Sequence, residues 1–274
     1  MEFAPLSEAI GVEIRGIDLN ARDAETEHAI TRAYRDHAAL LFRGQSLAPE
    51  TQKDFTKLFG DVLTHPLRTR ASVDGHPEVL ILENRPGRPG APNDYWHSDI
   101  SHMAAPPSAT VLHSLVVPEG HGDTMICSMV RAHDRLSDEV QATIAGLRAL
   151  HSGQATYTRS LEASDARTID PSEVKPPQSH PMVRRPAATD QMAIFVNPHF
   201  TIGIEGMDEG EGSELLNQMY DIATRPENVY RHRWQPGDVL VWDNRRTMHY
   251  AVRDYTEDMP RKLHRCTAAG EVPV

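Results

Sequence analysis

His97 and Asp99 are separated by a single residue in Asn93-Asp94-Tyr95-Trp96-His97-Ser98-Asp99, so on an extended strand both side chains point to the same face. Two imidazoles and one carboxylate take three of the six positions around an octahedral metal and leave the others open, an arrangement suited to non-haem Fe(II) and O2. The local pair supplies one imidazole and the carboxylate, and the fold must deliver the third ligand. His249 is the candidate. It follows the strand-like Val239-Leu240-Val241-Trp242 and the turn Asp243-Asn244-Arg245-Arg246, a place where a rigid scaffold presents site residues. By itself His-x-Asp is a weak signal, because short motifs recur by chance and most of the 15 histidines must be surface or satisfied core residues.

A second constellation is Arg261-Lys262-Leu263-His264-Arg265. Strand alternation puts Arg261, Leu263 and Arg265 on one face. That face is either a solvated edge with its charges outward or the wall of a pocket in which the arginines clamp anions by paired hydrogen bonds. Spacing does not choose between them.

Several elements must position these residues. Val12 to Gly16 alternates and ends in a turn, as a short edge strand would. The helical period over Asp23 to His37, with Asp23 as cap, predicts a helix, and the apolar run to Phe42 a buried strand. Pro49 and Glu50 open a second helix that stops at Gly60. Beyond Gly60 short strands alternate with turns at Val79–Leu82, Ala109–Val117, Thr124–Cys127, Met182–Val183 and Ala193–Val196, the pattern of a sandwich or barrel. Ser137 caps a helix carrying Val140, Ile144 and Leu147, and another helix spans about Ser213 to Thr224. Gln235-Pro236-Gly237-Asp238 reads as the turn of a hairpin between Val229–Trp234 and Val239–Trp242. Two irregular stretches read as a mobile lid, Arg85–Gly90, and as a disordered or substrate-gating insert, Ser152–Gln178.

The 274 residues give no sign of an interdomain linker, so one domain spanning 1–274 is expected. A net charge of -11 argues against nucleic acid or an anionic membrane as partner. No apolar run is long enough to span a bilayer, and Met1 to Leu6 lacks the pattern of a secretory signal, so the expected location is cytoplasmic. Cys127 and Cys266 are expected to be reduced, packed thiols.

In order along the chain, Phe59-Gly60-Asp61 with Thr64-His65-Pro66, Trp96-His97-Ser98-Asp99, Ala105-Pro106-Pro107, Gly122-Asp123-Thr124, His180-Pro181, Phe195-Val196-Asn197, Ile204-Glu205-Gly206-Met207, Trp234 to Asp238, Trp242-Asp243-Asn244-Arg245 with His249, and Arg261 to Arg265 resemble the taurine dioxygenase family of Fe(II)- and 2-oxoglutarate-dependent oxygenases. That family includes aryloxyalkanoate dioxygenases and alkylsulfatases. The resemblance implies a mainly β fold with flanking helices, a double-stranded β-helix or jelly roll. It implies His97, Asp99 and His249 as catalytic iron ligands, and Arg261 with Thr124 as the grip on 2-oxoglutarate. Arg265 and His65 would then hold the sulfonate, sulfate or carboxylate of a small anionic organic substrate, with Asn93 and Phe200 near its pocket. Fe(II), 2-oxoglutarate and O2 would hydroxylate that substrate while 2-oxoglutarate becomes succinate, and a homo-oligomer, a dimer or larger, is expected. A desaturation from the same oxidative chemistry stays open. A non-catalytic metal- or 2-oxoglutarate-binding jelly roll is the rival, and retention of all three ligands, Thr124 and both arginines speaks against it. Two positions depart from the family pattern. His102 stands where an aromatic residue is common, and Arg68 where taurine enzymes have tyrosine, which argues against taurine itself. Arg68 reads more simply as outward-pointing than as a second anion grip.

Overall fold

The computed structural model describes residues 1–65, 71–87, 93–156, 158, 175–187 and 189–274. In the first half run β1 (Glu2–Pro5), β2 (Val12–Arg15), β3 (Ala39–Phe42), β4 (Ser72–Val73), β5 (His76–Asn84), β6 (Ala109–Val116) and β7 (Thr124–Ser128). In the second half run β8 (Arg148–His151), β9 (Gln178–Pro181), β10 (Val183–Arg184), β11 (Ala193–Ile194), β12 (Thr201–Ile204), β13 (Val229–His232), β14 (Val239–Asp243), β15 (Thr247–Ala251) and β16 (Arg261–Ala268). Eight of them form a large sheet in the order β1-β2-β3-β14-β6-β16-β5-β4. Smaller sheets are β13-β7-β15, β12-β8-β9 and the pair β10-β11. The protein is mainly β, as expected.

Apolar packing explains the layers. On one face of the large sheet Leu40, Phe42, Val111, Val239, Val241 and Cys266 meet Ile30, Ala33 and Tyr34 of helix α1 (Ala24–His37) and Phe55 of helix α2 (Pro49–Thr56). On the other face Leu41, Leu112, Leu240, Trp242 and Leu263 pack with Ile126 of β7 and Trp234. The central strand β14 is therefore buried at every position and reads as a continuous apolar run. A third core gathers around α3 (Met129–Asp134), α4 (Asp138–Ile144) and α5 (Glu209–Ala223). Among the described residues no helix is long and apolar enough to cross a membrane, and both cysteines are buried thiols.

Capping follows the sequence closely. Asp23 accepts from the Thr26 amide at 2.8 Å and Ser137 from Val140 at 3.3 Å. Helix α5 starts four residues earlier than its apolar period suggests, because Asp208 caps it by accepting from Gly210 at 2.9 Å.

Three expectations need correction. The strand at Val12 is not an edge, since β1 pairs with it antiparallel on one side and β3 parallel on the other. The Gln235–Asp238 turn forms, with the Asp238 amide bonded to the Gln235 carbonyl at 3.1 Å, yet it closes no hairpin. β13 pairs with β7, and β14 with β3 and β6, so the turn carries the chain from one sheet into another. The His97 segment is no extended strand either: His97 makes an isolated bridge to His249, and Asp99 lies in a turn whose next residue, Ile100, has φ 37°. Arg68, residues 88–90 of the Arg85–Gly90 loop and most of Ser152–Gln178 lie outside the described residues.

A candidate metal centre and two arginines on one strand

His97, Asp99 and His249 are brought together despite that irregular backbone, with one ligand atom of each within 4.8 Å of the others. The bridge does the positioning: the His97 amide donates to the His249 carbonyl at 3.0 Å and the His249 amide to the His97 carbonyl at 2.8 Å. Asp99 Oδ1 lies 3.8 Å from His97 Nε2 and 3.7 Å from His249 Nε2. His97 Nδ1 donates to the Tyr95 carbonyl at 2.9 Å, so Nε2 keeps its lone pair for the centre. Burial lowers the His97 imidazole to about 3, helped by His249 and opposed by Asp99. Burial likewise lowers His249 to about 4. Burial would raise the Asp99 carboxyl, but Arg265 and the two histidines together pull it well below the usual range. Two neutral imidazoles beside an ionised carboxylate are the donor set a divalent first-row ion needs.

The other oxygen of Asp99 is already engaged. Thr110 Oγ1 donates to Oδ2 at 2.5 Å, and Arg265 Nη2 lies 2.9 Å from the same atom. Arg265 and Arg261 share β16, which β6 and β5 flank on both sides, so the solvated-edge reading of this strand is wrong. Arg261 is buried, donates from Nη2 to the Gly122 carbonyl at 3.2 Å, and has no partner at Nε among the described residues. Its guanidinium lies 5.8 Å from the Tyr255 ring centroid. Desolvation lowers its pKa, the mark of a buried cation, and among the described residues no carboxylate is in contact with it. Thr124, two residues beyond Gly122, accepts from Trp234 Nε1 at 3.0 Å, which leaves its own hydroxyl hydrogen to donate.

Gly122 holds a left-handed φ of 73°, and a Cβ there would stand 2.9 Å from Arg261 Nε. Gly122→Ala is expected to cost about 1–3 kcal/mol of folding stability through backbone strain and displacement of Arg261. Urea denaturation measures it, and an unchanged midpoint would show that neither constraint matters.

The surroundings of the remaining predicted residues differ. Phe200 is buried with its ring 6.5 Å from that of His97. Asn93 Oδ1 accepts from the Tyr95 hydroxyl at 3.2 Å, and its carbonyl receives the Ala251 amide at 3.3 Å. His65 is partly buried, just past the contact in which the Leu63 amide donates to Thr267 of β16 at 2.8 Å. His102 packs on Phe200 at 4.8 Å. Sequence reasoning missed Tyr95 and His199, whose rings stack at 3.9 Å beside His97, and the role of Thr110. The only advance signal for Tyr95 was its place within the His97 stretch.

The chain matches the model of the Taurine catabolism dioxygenase TauD, TfdA family over residues 2–267. It belongs to the TauD/TfdA family. An alpha-ketoglutarate-dependent sulfate ester dioxygenase of Pseudomonas putida is 35% identical over 286 aligned positions, covering 100% of this chain and 91% of that protein. An alpha-ketoglutarate-dependent 2,4-dichlorophenoxyacetate dioxygenase of Cupriavidus pinatubonensis is 32% identical, covering 98% of each. Among solved structures, a taurine dioxygenase from Burkholderia xenovorans superposes with a TM-score of 0.84 at 32% identity, covering 100% of this chain and 92% of that one. As a TauD/TfdA protein the chain is a dioxygenase, an oxidoreductase.

Proposed function

We propose that this protein uses Fe(II), O2 and 2-oxoglutarate to hydroxylate a small anionic organic molecule, a carboxylate, sulfonate or sulfate ester. The observation that carries the reading is the convergence of His97, Asp99 and His249, with Arg265 in contact with Asp99 and Arg261 buried on the same strand. His97, Asp99 and His249 would hold the iron. Bound there, iron and 2-oxoglutarate supply an oxidative chemistry in which O2 is consumed, 2-oxoglutarate becomes succinate and carbon dioxide, and a substrate carbon gains a hydroxyl.

The chain's own work is positioning. Arg261, with no carboxylate partner among the described residues and a poorly solvated guanidinium, suits the far carboxylate of 2-oxoglutarate, and the Thr124 hydroxyl would add a further donor. Arg265 and His65 hold the anionic group of the substrate, while Asn93 and Phe200 border its body. Fixing that end fixes which carbon faces the metal, so the anion grip acts as a ruler. The sheets are read as the two walls of a double-stranded β-helix within one domain spanning 1–274, and the protein as a cytoplasmic dimer or larger homo-oligomer.

Sulfate esters, sulfonates, aryloxy acids and amino-acid-derived acids, screened by succinate release, test the reading. At least one class is expected to raise succinate well above the substrate-free rate. On that substrate Arg265→Ala raises the substrate KM by about 10- to 100-fold, the scale of a lost charge-assisted hydrogen bond, and leaves the KM for 2-oxoglutarate nearly unchanged. Arg261→Ala does the reverse. Equal losses of both in each variant would show the two arginine roles to be wrongly assigned, and no stimulation by any acid would remove the activity.

A further inference from the structure

Three side chains outside the ligand set form a chain of hydrogen bonds that ends on Asp99. Trp242 Nε1 donates to Asn244 Oδ1 at 3.0 Å, Asn244 Nδ2 to Thr110 Oγ1 at 3.0 Å, and Thr110 Oγ1 to Asp99 Oδ2 at 2.5 Å. All four residues are no more than 3% exposed. Trp242 and Thr110 are register partners across β14 and β6, so two central strands of the large sheet anchor the chain.

Its direction is fixed by chemistry. An indole nitrogen can only donate, so the carboxamide oxygen of Asn244 must face it, and the Asp99 amide, 3.4 Å away, donates to the same oxygen. The amide NH2 is then turned to Thr110. With its oxygen accepting from Asn244, the Thr110 hydroxyl has its one hydrogen left for Asp99. Every donor in the series points one way, an arrangement in which each bond polarises the next.

Asp99 needs such help. It sits in a turn rather than on a strand, and its neighbour Ile100 has a left-handed φ of 37°, so regular sheet pairing does not orient its carboxylate. The end of β14 and the turn that follows it divide the Trp242-Asp243-Asn244 stretch in two. Trp242 and Asn244 turn toward Asp99, while the carboxylate of Asp243 between them binds Arg245 at 2.8 Å and Arg246 at 3.0 Å.

We propose that Trp242, Asn244 and Thr110 are positioning residues for the metal centre, which through the Thr110 hydroxyl, alongside Arg265, occupy Oδ2 of Asp99 and so present Oδ1 alone between Nε2 of His97 and Nε2 of His249. This rests on the reading of those three residues as metal ligands. Buried polar groups are normally hydrogen-bonded whatever their use, so the decisive readout is metal affinity rather than stability.

The experiment titrates metal-free protein with Mn(II) alone, by calorimetry, in the parent, Thr110→Val, Thr110→Ser and Asn244→Ala, with thermal melts of each metal-free protein alongside. Thr110→Val, which keeps the shape and removes the donor, is expected to weaken Mn(II) binding by about 10- to 100-fold, the scale of losing an outer partner of a ligand. Thr110→Ser restores parental affinity because the hydroxyl returns. Asn244→Ala keeps the hydroxyl but frees its direction and falls between. Parental Mn(II) affinity in Thr110→Val, or in Asn244→Ala should the valine protein not fold, overturns the relay even if the melt is lowered. Failure of the parent itself to bind Mn(II) would instead overturn the ligand assignment on which the relay depends.

Discussion

His97→Ala and His249→Ala proteins are expected to release substrate-linked succinate at less than about one-thousandth of the parental rate, the scale seen when one member of a catalytic unit is removed. Each imidazole contributes one of three donors, and the two that remain lie 3.7 or 3.8 Å apart with no third protein group to replace the loss among the described residues. Folding should survive, because the bridge between these segments is made by the backbone amides and carbonyls of both histidines and not by their rings. Asp99→Ala should be equally inactive but less stable than either histidine variant. Its carboxylate is the acceptor for Thr110 at 2.5 Å and the counter-charge of Arg265 at 2.9 Å, and its removal strands a buried donor and a largely buried cation. Rates come from succinate assays and stabilities from urea curves of the metal-free proteins. Substantial turnover in either histidine variant would end the triad assignment, and an Asp99→Ala protein as stable as the histidine variants would refute the dual role given to that carboxylate.

The residues that carry this centre were visible in the sequence, whereas the reason they meet was not. His-x-Asp suggested a strand that points both side chains one way. The structure instead uses a single bridge and a turn with Ile100 at positive φ. Local spacing could not foresee this, because the bridge partner, His249, is brought in by β15 pairing with β7. The turn at Gln235–Asp238 makes the same point. Its chemistry is local and legible, but which sheet each flanking strand joins depends on partners far away in the chain, and the apolar pattern of β14 is the same whichever neighbour it has. Arg261 and Arg265 could be read as clamp or edge until β16 was seen between β6 and β5. Thr110 carried no signal at all: a threonine in a strand usually reports β propensity, and only the 2.5 Å contact to Asp99 distinguishes it.

Acid should unfold the metal-free protein at about pH 5, above the range in which carboxylates titrate. At least eight histidines among the described residues have imidazoles held below their ordinary value, with burial the largest cause in each: His97 and His151 at about 3, His102, His249 and His264 at about 4, and His113, His180 and His232 lowered as well. In the unfolded chain each takes a proton near pH 6.5, so below that pH the unfolded state binds more protons than the folded one. Their contribution to stability is complete above about pH 6.5 and is lost as pH falls toward the folded values. Each fully shifted group removes up to about 1.4 kcal/mol per pH unit. Against a total of about 5–15 kcal/mol, several acting together bring the transition to about pH 5. Asp99 and Asp243, whose carboxyls are held low, add a loss of the same sign but only below about pH 4, too late to cause it. Mn(II) should move the transition to lower pH, since binding requires His97 and His249 to be neutral. Circular dichroism across pH 7.5 to 3.5, with and without Mn(II), measures both effects. Equal urea stability at pH 7 and pH 5.5 would mean that these imidazoles are not shielded from water as their burial implies.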